Sequence, residues 1–289
     1  MPQAKAKIGV IGGSGLYEIA GMTDIEEMNI TTPFGKPSDT ITFGNLEGVG
    51  VAFLPRHGKG HRIMPTELPS RANIYALKSL GVEHIIAINS AGSFKKEIKP
   101  GHLLIPDQLI DRTRGRVNTF FDEGIVVHIP FAEPFCPELS QVLYESAQGA
   151  GTTVHPRGTM VVMEGPAFST RVESQLYKAW GADIIGMTAL PEAKLAREAE
   201  ICYALIGCVT DYDSWWEPGK PVAVEMILET MRKNIDISKK IIRLAVSRIS
   251  GKRDCACART LETAIVTTPK LIPATTKKKL SLVIGKYLK

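Results

Sequence analysis

The chain has 289 residues, 44% hydrophobic and 22% charged, with a formal net charge of +5. That length suits one large α/β domain, and the composition is that of a globular enzyme rather than a disordered or low-complexity chain. No apolar run reaches the roughly 18–20 residues that span a bilayer, and residues 1–7 leave no room for a signal peptide, so a cytoplasmic location is expected.

Ile8-Gly-Val-Ile-Gly-Gly-Ser-Gly15 is a short apolar strand running into a glycine loop with one hydroxyl, Ser14. Glycines there let backbone N–H groups point into a concavity, which suits an anion. With Gly13 and Gly15 as the first two glycines of a dinucleotide fingerprint, the third position falls on Glu18. No Gly-Lys-Ser/Thr follows, so the loop suits a phosphate rather than a dinucleotide or a nucleoside triphosphate. Residues 51–54 form a strand leading into Arg56-His57, and residues 67–80 are predicted helical, with Ala72, Tyr75, Ala76 and Leu80 on one face. Residues 84–88, 103–105, 159–163 and 184–187 are apolar strands. Residues 191–200 are a helix, 201–209 a strand into Thr210-Asp-Tyr-Asp213, and Pro221 opens a long helix to about Ser250. This alternation predicts one α/β domain over residues 1–250, its sheet covered on both faces. Residues 251–289 form a basic extension packed on or beside it.

Nine Lys and Arg against Asp254 and Glu262 give residues 252–289 a charge of +7 and leave −2 elsewhere. A basic tail can attract nucleic acid, but this Lys cluster lacks interleaved aromatics and is expected to be a solvated tail helix. The five cysteines are Cys136, Cys202, Cys208, Cys255 and Cys257. Cys255-Ala-Cys257 has the wrong spacing for a zinc knuckle and no paired His or Cys group nearby, so no metal is expected. Two cysteines one residue apart can close a small disulfide, and intracellular disulfides hint at a hot source.

Ser14, Arg56-His57, Asn89-Ser90, Thr188 and Asp211 each follow an apolar strand. Ligands of α/β sheets bind beyond the carboxyl ends of strands, so these separated residues can converge. Arg56 offers a planar fork matched to phosphate oxygens. His57 can donate one more hydrogen bond, and Ser14, Ser90 and Thr188 offer hydroxyls. One Arg, one His and several hydroxyls suit a single small dianion, whereas a polyphosphate calls for Mg²⁺ and more cations. Asp211 and Asp213 repel each other, so one can hold a proton at neutral pH and donate it to a ring nitrogen. The alternative is an Asx-turn capped by Asp213.

These residues carry a resemblance. Ile11-Gly-Gly-Ser-Gly-Leu16, Thr32-Pro-Phe-Gly-Lys-Pro-Ser38, Arg56-His-Gly58, His61-Arg-Ile-Met-Pro65, Asn89-Ser-Ala-Gly92, Asp111-Arg-Thr113, His128-Ile-Pro130, Ala132-Glu-Pro-Phe-Cys136, Glu164-Gly-Pro-Ala-Phe-Ser169, Gly186-Met-Thr188 and Ala199 to Asp213 run in one order over residues 8 to about 250, and the tail after Ser250 shares the pattern much less. In that order the chain resembles the 5′-methylthioadenosine phosphorylases, in the trimeric branch of the purine nucleoside phosphorylase superfamily. The resemblance implies a single α/β domain with a central mixed, partly barrel-like β-sheet flanked by helices. It implies phosphorolysis of 5′-methylthioadenosine to adenine and 5-methylthioribose 1-phosphate, with inorganic phosphate as co-substrate and no cofactor. Carried over by position, phosphate is held by Ser14, Arg56, His57, Asn89, Ser90 and Thr188, and the third loop has Asn-Ser where some relatives have Thr-Ala. The nucleoside contacts are Ala91, Phe168, Met187 through its backbone N–H, Thr210, Asp211, Asp213, Val224 and Ile227, with Ser169 and Val224 bearing on specificity.

Asp211 is then the general acid for the departing purine, and Asp213 with it accepts from a 6-amino group that a 6-oxo purine lacks. The apolar Val224 and Ile227 suit a methylthio group. The resemblance also implies a homotrimer or dimer of trimers, with His128 of a neighbouring subunit, and more weakly a residue near Leu271, completing the 5′ pocket. It places Cys136 and Cys202 inside one core, so bridges Cys136–Cys202 and Cys255–Cys257 are expected, with Cys208 reduced. Small-molecule nucleoside and phosphate are the expected partners, with no nucleic acid and no membrane. The alternatives are a broad purine nucleoside phosphorylase acting on adenosine, inosine or guanosine, and a non-catalytic nucleotide or nucleic-acid binding module.

Overall fold

The computed structural model describes residues 5–13, 16, 19–216, 224–249 and 253–288. Among the described residues, eleven strands form one mixed sheet. They are β1 (Ile8–Gly12), β2 (Thr23–Met28), β3 (Ile41–Leu46), β4 (Val49–Pro55), β5 (His84–Ser93), β6 (Leu103–Leu104), β7 (Gln108–Arg112), β8 (Val154–His155), β9 (Thr159–Met163), β10 (Ile184–Gly186) and β11 (Cys202–Asp211). The helices are α1 (Ser70–Ser79), α2 (Pro137–Gly149), α3 (Arg171–Ala179), α4 (Ala189–Glu198), α5 (Val224–Arg248), α6 (Ala274–Lys279) and α7 (Ser281–Ile284).

The sheet branches at β5. The main path runs β2-β3-β4-β1-β5-β10-β9-β7, while β11 pairs with β5 and β6, and β6 with β8. Strands β4, β1, β5 and β11 are mutually parallel where they pair, so their carboxyl ends share one rim. Period-2 alternation divides β11 between two cores. Tyr203, Leu205 and Val209 face one core, which includes residues of α1, α4 and the C-terminal segment. Cys202, Ala204, Ile206 and Cys208 face the other, with α2 and α5. All ten residues of β11 are buried, as a strand covered on both faces requires.

Two strand ends lie further on than the apolar pattern predicts. β5 continues through Asn89-Ser-Ala-Gly92 to Ser93, and β11 through Thr210 to Asp211. The predicted helix at 67–80 is a 3₁₀ turn at Pro65–Glu67 followed by α1, which begins directly after Pro69. The C-terminal segment is not a solvated helix. It folds into short helices and turns, and Leu261, Ile272, Leu280 and Ile284 are buried in the first core, while Lys279 pairs with Glu123 at 2.7 Å and Lys286 with Glu200 at 2.6 Å.

The disulfide expectation is corrected. Cys136, Cys202, Cys208, Cys255 and Cys257 are all free and buried. The sulfurs of Cys136, Cys202, Cys255 and Cys257 all lie within 4.8 Å of one another, and Cys202 Sγ approaches Cys255 Sγ at 3.3 Å, across the expected pairs. The C-terminal segment brings Cys255 and Cys257 onto the α2–β11 core, so the partner group that linear spacing does not reveal is Cys136 with Cys202.

Candidate active site

A cavity of about 490 Å³ opens at the shared strand rim. Arg56, His57, Asn89, Ser90, Ala91, Phe168, Met187, Thr188, Thr210, Asp211 and Asp213 all line it. Ser14 lies outside the described residues, as do the side chains of Val224 and Ile227. His128 is exposed and tied by its backbone N–H to the Ala264 carbonyl at 2.9 Å, away from this cavity.

The register explains the convergence. Asn89, Ser90 and Gly92 of β5 lie beside Gly207, Cys208 and Asp211 of β11. Gly92 lies three steps along the strand from Asn89, a span of about 10 Å at the usual strand rise. Thr188 arrives differently from the others. β10 is antiparallel to β5, with Ile184 beside Ser93 and Ile185 beside Gly92, so the chain beyond it runs back to bring Thr188 Oγ1 2.6 Å from Asn89 Nδ2.

Arg56 does not present a free fork. It is 3% exposed, and its Nε lies 2.5 Å and its Nη2 3.1 Å from the two carboxylate oxygens of Glu192. Nη1 donates to the Ile88 carbonyl at 2.9 Å and Nη2 to Ile11 at 3.4 Å. Four of the five N–H groups are thus used, leaving one on Nη1 for a ligand. Tyr203 donates its hydroxyl to the same Glu192 carboxylate at 3.0 Å. Burial works against the Arg56 charge, but the Glu192 carboxylate outweighs it and holds the guanidinium pKa above its usual value.

His57 also differs from the expected donor. Its Nδ1 lies 2.8 Å from the Ile63 carbonyl. A carbonyl only accepts, so Nδ1 carries the proton and Nε2 of the neutral ring is an acceptor. Burial, then the Arg56 charge, lower the His57 pKa to about 4, so the ring is neutral at pH 7. Asn89 Oδ1 is a buried acceptor with no hydrogen-bond partner among the described residues.

At the other end of the cavity, Asp211 accepts from Thr210 Oγ1 and from the Asp213 backbone N–H, both at 2.8 Å. Asp213 has a positive φ of 51°, which Asp tolerates better than most residues. Its carboxylate is held by the Ser169 hydroxyl, 2.7 and 2.8 Å from its two oxygens. Burial raises the pKa of both acids, and for Asp211 the nearby Asp213 charge adds to this. Gly92 makes this pairing fit: a Cβ there would stand 3.0 Å from Asp211 Oδ1 and 3.2 Å from Asp213 Cβ.

Several supporting residues escape the sequence reading. Glu192 and Tyr203 hold Arg56. Arg116 donates Nη1 to the carbonyls of Met187 and Leu190 at 2.6 and 2.8 Å and Nε to Glu164 Oε1 at 3.1 Å, tying together the segments that carry Phe168 and Met187. Asn234, Ile235 and Ser238 of α5 also line the cavity. The sequence signal for Asn234 and Ser238 is a polar pair four residues apart on one face of an otherwise apolar-packed helix.

Comparison with known proteins agrees with this geometry. The model of the phosphorylase superfamily matches residues 7–247. The S-methyl-5′-thioadenosine phosphorylase of Geobacter sulfurreducens is 55% identical, over 97% of this chain and 99% of that protein. The enzyme of the same name from Hyperthermus butylicus is 49% identical, over 92% of this chain and 97% of that one. A methylthioadenosine phosphorylase from an Antarctic soil metagenomic library superposes with a TM-score of 0.93 at 44% identity, covering 97% of this chain and 99% of that one. The Schistosoma mansoni methylthioadenosine phosphorylase in complex with adenine gives 0.84 at 39% identity, covering 90% and 99%. The chain belongs to the phosphorylase superfamily.

Proposed function

We infer that this protein cleaves the N-glycosidic bond of 5′-methylthioadenosine with inorganic phosphate, yielding adenine and 5-methylthioribose 1-phosphate. One observation carries the reading: a single cavity holds a donor-rich end at Arg56, Asn89, Ser90 and Thr188 and, at its other end, a buried acid pair at Asp211 and Asp213. The C1′–N9 bond breaks as a phosphate oxygen bonds to C1′, and the electron pair leaving with the base is neutralised by a proton at N7.

Asp211, with its raised pKa, supplies that proton, an effect worth roughly 10²–10⁴-fold. The oxocarbenium-like ribose is stabilised by the phosphate dianion at the opposite face. Phosphate is held by the free Arg56 N–H, Ser90, Thr188, Asn89 and the Ser14 loop. A half-turn of the Asn89 amide lets Thr188 donate to Oδ1 and turns Nδ2 toward the anion. Neutral His57 accepts through Nε2 from the P–OH of hydrogenphosphate. Phe168 packs on the nucleoside with Ala91 and Thr210 beside it, and the Met187 N–H holds the ribose hydroxyls, while Arg116 anchors the same residue through its carbonyl. Asp213, gripped by Ser169, accepts from the 6-amino group. The family resemblance assigns the methylthio group to Val224 and Ile227, whose apolar character suits it. No cofactor takes part in this chemistry.

The finer reading is a homotrimer or dimer of trimers in which His128 completes a neighbour's site. Its support is that Val126 and Val266, both exposed and apolar, are joined beside His128 by a backbone hydrogen bond from the Val266 N–H to the Val126 carbonyl at 2.9 Å. No helix among the described residues is long and apolar enough to cross a membrane, and a cytoplasmic location with no nucleic-acid partner fits this metabolic role. The test is phosphate-dependent base release from methylthioadenosine, adenosine and inosine. Methylthioadenosine is expected to lead and inosine to trail; inosine as the leading substrate would assign the chain to the 6-oxopurine enzymes instead.

A further inference from the structure

Four cysteines from three separate parts of the chain meet away from the active site. Cys136 is the N-cap of α2, Cys202 opens β11, and Cys255 and Cys257 flank the start of the 3₁₀ turn at Ala256–Arg259. They are 1%, 1%, 8% and 2% exposed, and their sulfurs all lie within 4.8 Å of one another. A tetrahedral tetrathiolate zinc site, with Zn–S near 2.3 Å, needs sulfur–sulfur edges of about 3.8 Å. The cluster meets that requirement with small adjustments. Packing of free thiols as small hydrophobes does not require four of them to share one point.

The surroundings suit the charge. Four thiolates around a divalent cation carry a net −2, which needs compensation in a buried place. The N-terminus of α2, a 13-residue helix, directs its positive dipole end at Cys136. Arg197 exerts its charge on Cys257. His84 lies beside Cys202 in the β5–β11 register, and its Nδ1 is buried without a hydrogen-bond partner among the described residues. A neutral imidazole can donate one ring N–H, and a thiolate is an acceptor for it.

We propose that Cys136, Cys202, Cys255 and Cys257 form a closed structural site for one Zn²⁺ per chain. Binding converts four thiols to thiolates and releases their protons, with no change of oxidation state. Cys202 and Asp211 are opposite ends of β11, roughly 30 Å apart at the usual strand rise, so the metal takes no part in phosphorolysis. It joins α2, β11 and the C-terminal segment, a tether that long-range packing alone otherwise supplies. The closed set of four sulfurs leaves no open coordination position, which separates it from a catalytic zinc.

The experiment uses the intact protein, prepared reduced and without chelators. Elemental analysis is expected to find about one zinc per chain. Replacement of the metal by Co²⁺ is expected to give the intense visible and charge-transfer bands of tetrahedral cobalt thiolate, a readout independent of any variant's folding. Cys257→Ser and Cys202→Ser are expected to weaken zinc binding by at least about 100-fold, beyond the loss typical of outer-sphere partners. Cys208→Ser, outside the cluster, keeps full metal content. Reduced wild-type protein that takes up neither zinc nor cobalt would overturn the proposal. So would a red, iron-loaded protein, or fewer than five titratable thiols in metal-free protein unfolded without reductant.

Discussion

Glu192 Oε1 sits 2.5 Å from Arg56 Nε, and both side chains are almost completely buried. The pair changes what substitution of Arg56 tests. Removing the guanidinium leaves Glu192 as an uncompensated buried charge, a loss of about 3–5 kcal/mol. Arg56→Ala is therefore expected to lower stability in urea unfolding by that amount as well as raising the phosphate KM. An Arg56→Ala protein within 1 kcal/mol of wild type, on the scale of an exposed pair, would mean that Glu192 finds another partner.

His57 is expected to be neutral from about pH 6 to 8, because burial and Arg56 hold its pKa near 4. Nitrogen-15 NMR of the imidazole should find the proton on Nδ1 and no titration of this ring over that range. A midpoint near the ordinary histidine value would contradict the acceptor role assigned to Nε2.

Asp211→Asn should lower kcat by about 100-fold or more while leaving the fold intact. Because the acting form is protonated and its pKa is raised, the wild-type rate should fall as pH rises through that pKa, and this limb should vanish in Asp211→Asn. A variant within threefold of wild type would remove Asp211 from the general-acid role.

Asp213→Asn exchanges a pure acceptor for a group that can also donate to a 6-oxo purine. The ratio of kcat/KM for methylthioadenosine to that for inosine should fall by about 10- to 100-fold, the scale of one buried polar group left unpaired. Steady-state kinetics with the two nucleosides check it; an unchanged ratio would shift base recognition away from Asp213.

Glu198 gives a stability prediction far from the chemistry. Burial raises its pKa from 4.5 to about 7, against hydrogen bonds from the Phe120 N–H and Thr119 hydroxyl, each at 2.7 Å. The folded state therefore holds a proton that the unfolded state releases, so stability should decline between about pH 4.5 and 7, by roughly 3 kcal/mol at most. Glu198→Gln should flatten that decline in urea unfolding measured at several pH values. An equally steep curve in the variant would place the titrating group elsewhere.

The legible part of the sequence was its buried part. Strands β1, β4, β5, β9, β10 and β11 announce themselves as apolar runs because both sheet faces are covered, and the polar residues at their ends point to the rim where the cavity lies. The sheet edges are silent. β2 carries Asp24, Glu26 and Glu27 and is almost wholly exposed, as charged edge strands are, so no apolar pattern marks it. α3 did have a signal, the capping box of Thr170 and Glu173. The partners that tune the site are a different matter. Arg56 and Glu192 are 136 positions apart, and Cys136 meets Cys257 only through the packing of the C-terminal segment. Contacts of that range have no period and no spacing to read.

The central claim is that this cavity joins phosphate to the anomeric carbon of a methylthio-nucleoside. Incubation with 5′-methylthioadenosine, followed by phosphorus-31 NMR with and without inorganic phosphate, tests it most directly. The account predicts free adenine and a sugar 1-phosphate resonance in equal amounts, and neither product when phosphate is withheld. Adenine released at the same rate without phosphate, with free methylthioribose as the co-product, would make the protein a hydrolase and contradict the account.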